Sequence, residues 1–191
     1  LQEVGRDVET LANEPMVSTR QDEDFTSFLQ ADEQGFTYNI GENEQRIINI
    51  FANYRQQHPY VNSVYMGREN GTFVRSHPRV SPTQYDPRQR PWYQLAASHP
   101  DQVMRTAPYK SVTTDDINIG IVKAMVDSRN NVYGVIGMDI TLRDLTTIVS
   151  RIPIGQEGYL FLLDDQGIIL SHPLPERRFS HYEAAGLPAF H

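Results

Sequence analysis

Two stretches of the chain share one plan, and together they constrain its fold more than any other feature. SVYMGRENGTFVRSHP, residues 63–78, and GYLFLLDDQGIILSHP, residues 158–173, each run from an aromatic-aliphatic segment through a polar turn ending in glycine to a second apolar segment and Ser-His-Pro; a one-residue gap between glycine and histidine aligns them. Each reads as a β-hairpin, the first closed by an Asn70-Gly71 turn. Two similar supersecondary units about ninety-five residues apart (171 − 76) point to related modules in tandem. Only eighteen residues follow the second Ser-His-Pro. The expectation is therefore one complete module over residues 61–140 and the opening of another over 158–191.

The remaining segments fit around these hairpins. Val4, Val8, Leu11 and Ala12 recur at helical spacing until Asn13-Glu14-Pro15 interrupts them. From Asn43 a second amphipathic helix sets Ile47, Ile50, Phe51 and Tyr54 on one face and stops at His58-Pro59. Between them, Phe25, Phe28 and Leu29 in a polar, acidic setting predict a short helix plus loop, so residues 1–60 form a helical region. INIGIVKAMVD and VYGVIGMDI, joined by Ser128-Arg129-Asn130-Asn131, form another hairpin, in which Gly120, Gly134 and Gly137 signal close packing or bulges. Thr141 then caps a connecting helix, with Asp144 three residues on and Leu142, Leu145, Ile148, Val149 and Ile152 in register for a buried face; this element and its linker occupy 141–157. The fold class is α+β with a mainly antiparallel sheet.

Composition excludes several functions. A formal charge of −7 leaves no footprint for wrapping nucleic acid. No apolar run reaches the roughly eighteen residues of a spanning helix. Cysteine is absent, which removes disulfides, thiolate catalysis and Cys-ligated metals, and the six histidines show no metal-binding spacing. There is no nucleophile elbow, phosphate loop or dinucleotide-binding glycine pattern, so neither enzyme nor cofactor is expected. Asp115-Asp116 and Asp164-Asp165 lie in polar turns, where solvated acids are the usual reading.

Against this acidic background, residues 75–90 carry Arg75, Arg79, Arg88 and Arg90 with one acid, Asp86, a local charge of +3. The stretch runs on into Pro91-Trp92-Tyr93, where Pro91 opens a helix and Trp92 is the only tryptophan. Arginine grips a carboxylate bidentately, and Trp and Tyr add directed donors on large apolar bodies, so the group suits a small carboxylate-bearing ligand. The residues alone admit a second reading, with Trp92 in the core and the arginines on a solvated face.

Tyr85-Asp86-Pro87-Arg88-Gln89-Arg90-Pro91-Trp92-Tyr93, with Gly137-Met138-Asp139-Ile140 and Gly158-Tyr159-Leu160-Phe161, resembles the double Cache family of bacterial extracytoplasmic sensor domains. The resemblance implies a PAS-like (PDC) fold with a long amino-terminal helix beside tandem modules, the second incomplete, and a site in the membrane-distal one. It implies an inner-membrane receptor, most readily a histidine kinase, otherwise a chemoreceptor or diguanylate cyclase. Such a receptor is homodimeric, anchored by spans outside this sequence and periplasmic in this part. The amino-acid-binding subset is closer still. Tyr85, Arg90, Trp92 and Tyr93 match its spacing, and Tyr109 and Asp139 its further positions. There Arg90 and Trp92 would hold an α-carboxylate, and Asp139 with the tyrosines an α-ammonium. A small organic acid held without Asp139, an amine, or a ligand-free dimerisation or spacer module remain alternatives.

Overall fold

The computed structural model describes residues 2–79, 82–110, 117–144, 147, 152, 158–164, 166–178 and 180–186. They fall into two compact units, Leu1–Asp139 and Ile140–His191.

In the first unit, β1 (Ser63–Arg68), β2 (Phe73–Arg75), β3 (Val103–Arg105), β4 (Tyr109–Lys110), β5 (Ile117–Val126) and β6 (Val132–Thr141) build a six-stranded sheet of order β2-β1-β6-β5-β3, with β4 also on β5. The β1–β2, β1–β6, β3–β5 and β4–β5 pairs are antiparallel. The first hairpin turns as its sequence dictates: Gly71 takes φ 86°, and the Asn70 side chain accepts from the Thr72 amide at 3.0 Å.

Three helices pack on this sheet. The helix α1 (Gln2–Ala12) lies against β3 and β5, and α2 (Glu42–Gln57) against β1 and β2. They bury Val4, Val8 and Ala12, and Ile47 and Phe51, at the spacing the sequence predicts. The short α3 (Pro91–Ala97) opens on Pro91 and packs on β5. Its Trp92, Tyr93 and Ala96 join Tyr65, Phe73 and Val122 in a core cluster.

The short helix expected between α1 and α2 does not form; residues 13–41 make turns and one isolated bridge, Ser27 to Thr72. Their acids and hydroxyls are spent on local turns, as where Asp32 Oδ1 accepts from the Gln34 amide at 3.2 Å. Phe25 and Phe28 are nevertheless buried. Arg68, fully buried, secures this connection by donating to the Val17 carbonyl at 2.6 Å.

In the second unit, β7 (Leu162–Leu163) and β8 (Ile169–Ser171) form an antiparallel hairpin whose turn glycine, Gly167, takes φ 79°, as Gly71 does in the first repeat. The Asp144 amide donates to Thr141 Oγ1 at 3.0 Å, a cap at the start of the connecting helix. Leu145, Ile148 and Val149 lie outside the described residues, as do Asp115, Asp116 and Asp165. Ile152, expected on the buried face, is 45% exposed, in a bend just before Pro153.

Candidate ligand-binding site

Residues in register share a face of a sheet, so Ser63 lies beside Asp139 and Tyr65 beside both Gly137 and Arg75. That face, covered by α3 and the preceding loop, holds a cavity with about 50 Å³ of room for the centres of water-sized molecules. Space on this scale admits a few waters or one small organic molecule.

Five of the six residues singled out from the sequence line it: Tyr85, Arg90, Trp92, Tyr109 and Asp139. Tyr93 does not. One step further round α3, its buried ring packs beside Trp92, centroids 5.6 Å apart, within the core cluster. Of the four clustered arginines, Arg75, Arg79 and Arg90 reach the cavity and Arg88 does not. Arg88 folds back onto Asp86, donating through Nε at 2.8 Å to Oδ1 and through Nη2 at 2.8 Å to Oδ2.

One polar cluster of the cavity lining is built around Asp139. Tyr65 and Tyr109 each donate a hydroxyl proton to its Oδ1 at 2.6 Å, and Asn118 Nδ2 donates to Oδ2 at 3.0 Å. Burial pushes the Asp139 pKa up to about 6, against the lowering influence of the two tyrosines, Arg75 and Asn118. Both tyrosines titrate far above their usual range, through burial and the neighbouring carboxylate, and so keep the protons they donate. With those protons committed, the two hydroxyl oxygens, 3.3 Å apart, can only accept further hydrogen bonds. Asn118 Oδ1 is buried without a partner among the described residues.

The donors of Arg90 and Trp92 are chemically complementary to that cluster. Arg90 Nε is a buried donor that also lacks a partner among the described residues. Among the described residues, Trp92 Nε1 donates only to the Tyr85 hydroxyl, at 3.3 Å. Tyr85, whose pKa burial raises to about 12, lies under the Arg90 guanidinium at 5.8 Å. One cavity thus carries an orphan buried donor and an orphan buried acceptor, and unmade hydrogen bonds of that kind cost free energy until something fills them.

Ser63, Tyr65, Phe73 and Asn118 complete the lining and were not singled out from the sequence. The legible trace of Tyr65 was the pair of glycines beneath it: a Cβ at Gly137 would stand 2.8 Å from the tyrosine ring, and one at Gly120 3.2 Å from its hydroxyl. No group of three or more His, Cys, Asp or Glu suited to a metal occurs among the described residues.

Fold and cavity together define a small-ligand sensor module of PAS-like architecture, and the comparisons agree. Residues 1–182 match the family model described as "Cache domain", and the chain belongs to that family. Among proteins, it is 33% identical over 129 residues to a probable methyl-accepting chemotaxis protein of Bacillus thuringiensis; the match takes in 68% of this chain but only 19% of that protein. Among solved structures, the ligand-binding domain of the Pseudomonas aeruginosa amino-acid chemoreceptor PctC, in complex with GABA, superposes with a TM-score of 0.72 at 24% identity, covering 99% of this chain and 75% of that one. The ligand-binding domain of the Pseudomonas fluorescens chemoreceptor CtaA, in complex with L-alanine, gives 0.61 at 26% identity, covering 74% and 60%.

Proposed function

We propose that this chain is the extracytoplasmic amino-acid-sensing part of a chemoreceptor, with its ligand in the cavity of residues 61–140. The observation that carries the reading is the complementary pair of orphan groups, the donor Arg90 Nε and the acceptor Asn118 Oδ1, on residues of a cavity that also holds Asp139. A zwitterion answers all three. Its carboxylate takes the Arg90 and Trp92 donors, and its ammonium takes Asp139 Oδ2, Asn118 Oδ1 and the Tyr65 and Tyr109 oxygens. Burying either ligand charge without such a partner costs several kcal/mol, so the arrangement selects against simple acids and simple amines.

The amino-acid complex of CtaA supports this chemistry, and the Bacillus relative supports a chemotaxis output in place of the histidine kinase that the resemblance puts first. No helix among the described residues is long and apolar enough to cross a membrane. The proposed receptor is a homodimer held in the membrane by other segments. Ligand binding then biases the receptor between signalling states by its differential affinity for them.

Trp92, the only tryptophan, lines the cavity and reports on it without labels. A fluorescence and melting screen against amino acids, their des-amino acids and their amines should give responses to amino acids, with both analogue series weaker. A response confined to acids or to amines contradicts the reading, and no response to any of them leaves the ligand-free spacer.

A further inference from the structure

The cavity carries more positive charge than a neutral amino acid can use. Its lining holds three guanidiniums, Arg75, Arg79 and Arg90, and one carboxylate, Asp139. Once a bound ammonium faces Asp139 and an α-carboxylate faces Arg90, Arg75 and Arg79 remain. Neither forms a close ion pair among the described residues, and Arg75 feels Asp139 only through longer-range attraction. Arg75 donates through Nε to the neutral Ser63 hydroxyl at 2.9 Å. Arg79, only 6% exposed, donates to the Thr83 carbonyl at 3.1 Å and lies between the Phe28 and Tyr85 rings, 4.8 Å from each centroid. Those rings fix the plane of the guanidinium and leave its charge in place. Arginine does not shed its proton in proteins, so Arg79, buried, and Arg75, half-buried, favour an anion brought in by the ligand.

The two arginines also face a second cavity, of about 210 Å³, with Tyr38, Ile40 and Ile48 in its walls. Glu44 borders it too, but that carboxylate accepts from the Thr26 amide at 3.0 Å and forms no ion pair with either arginine. Arg75 and Arg79 thus belong to the lining of both cavities.

We propose that the preferred ligand is an α-amino acid with an acidic side chain, its distal carboxylate held by Arg75 and Arg79; this rests on the amino-acid reading of the same site. The test is calorimetric titration of the 191-residue chain with two near-isosteric pairs, L-glutamate against L-glutamine and L-aspartate against L-asparagine. At least one acid should bind about tenfold or more tightly than its amide, because only the acid supplies a charge partner to the guanidiniums. Arg75→Gln and Arg79→Gln should each shrink that ratio towards one while the amide still binds. The ratio in the unsubstituted chain decides the matter if a variant does not fold. Equal or tighter binding of both amides overturns the acidic preference and leaves the amino-acid reading standing. Binding of no amino acid, or of glutarate as tightly as glutamate, overturns both.

Discussion

Tyr65 and Gly137 face each other across the β1–β6 pair, and the tyrosine ring occupies the space any side chain at 137 would need: a Cβ there would lie 2.8 Å from Cε2 and 2.9 Å from Oη. The ring is not a flexible end that moves aside cheaply, because its hydroxyl is held on Asp139 and its face by Trp92, centroids 4.8 Å apart. Gly137→Ala should therefore lower stability by about 1 to 3 kcal/mol, the usual cost of overpacking, and weaken ligand binding by displacing the Tyr65 hydroxyl. Denaturant melts and a titration of the same variant measure the two effects. A variant as stable and as tight as the parent would show that the tyrosine position is not fixed by this contact.

Arg88 and Arg90, two residues apart, should behave oppositely. Arg90→Ala leaves the ligand carboxylate without its buried donor and should cost about 2 to 5 kcal/mol of affinity. Arg88 has a side chain 40% exposed and paired with Asp86, so Arg88→Ala should leave affinity unchanged and alter stability by no more than about 1 kcal/mol. Calorimetry on both variants makes the comparison, and equal losses would place the carboxylate elsewhere.

Acid should release the ligand. With a pKa near 6 in the empty cavity, Asp139 is protonated below that pH and no longer attracts an ammonium, so affinity should fall as pH drops through 6. The well-buried carboxylate of the free chain has the reverse stability sign. Its pKa is raised above the ordinary 3.8, so the folded state holds the extra proton between about 4 and 6, and this contribution to stability is present at low pH and lost as pH rises through 6. Asp139→Asn should flatten both profiles, seen as ligand affinity and melting temperature from about pH 4 to 8. An affinity profile unchanged by that substitution would remove Asp139 from the ammonium site.

Residues of the site that share a local stretch were legible in the sequence. Tyr85, Arg90 and Trp92 sit within eight positions, and Pro91 marks the helix start that orients them. Tyr65, Asn118 and Ser63 were hidden because strand alternation tells which residues share a face without telling which face meets the cavity. Arg88 looked like a pocket residue by charge count, though Asp86 two positions away was already its partner. The hairpins were visible for the same local reason, since Asn70-Gly71 writes its own turn. The loop of residues 13–41 was not, because its shape depends on buried partners far along the chain, such as Arg68 on Val17.

The proposed binding mode sets one zwitterion across the cavity, between Arg90 and Asp139. Crystals of the chain grown with the tightest-binding amino acid test it most directly. The expected density lies between α3 and the β1–β6 face, with the α-carboxylate within hydrogen-bond reach of Arg90 and the ammonium within reach of Asp139 and Asn118. Density with those ends reversed, or bound elsewhere with this cavity empty, would contradict it.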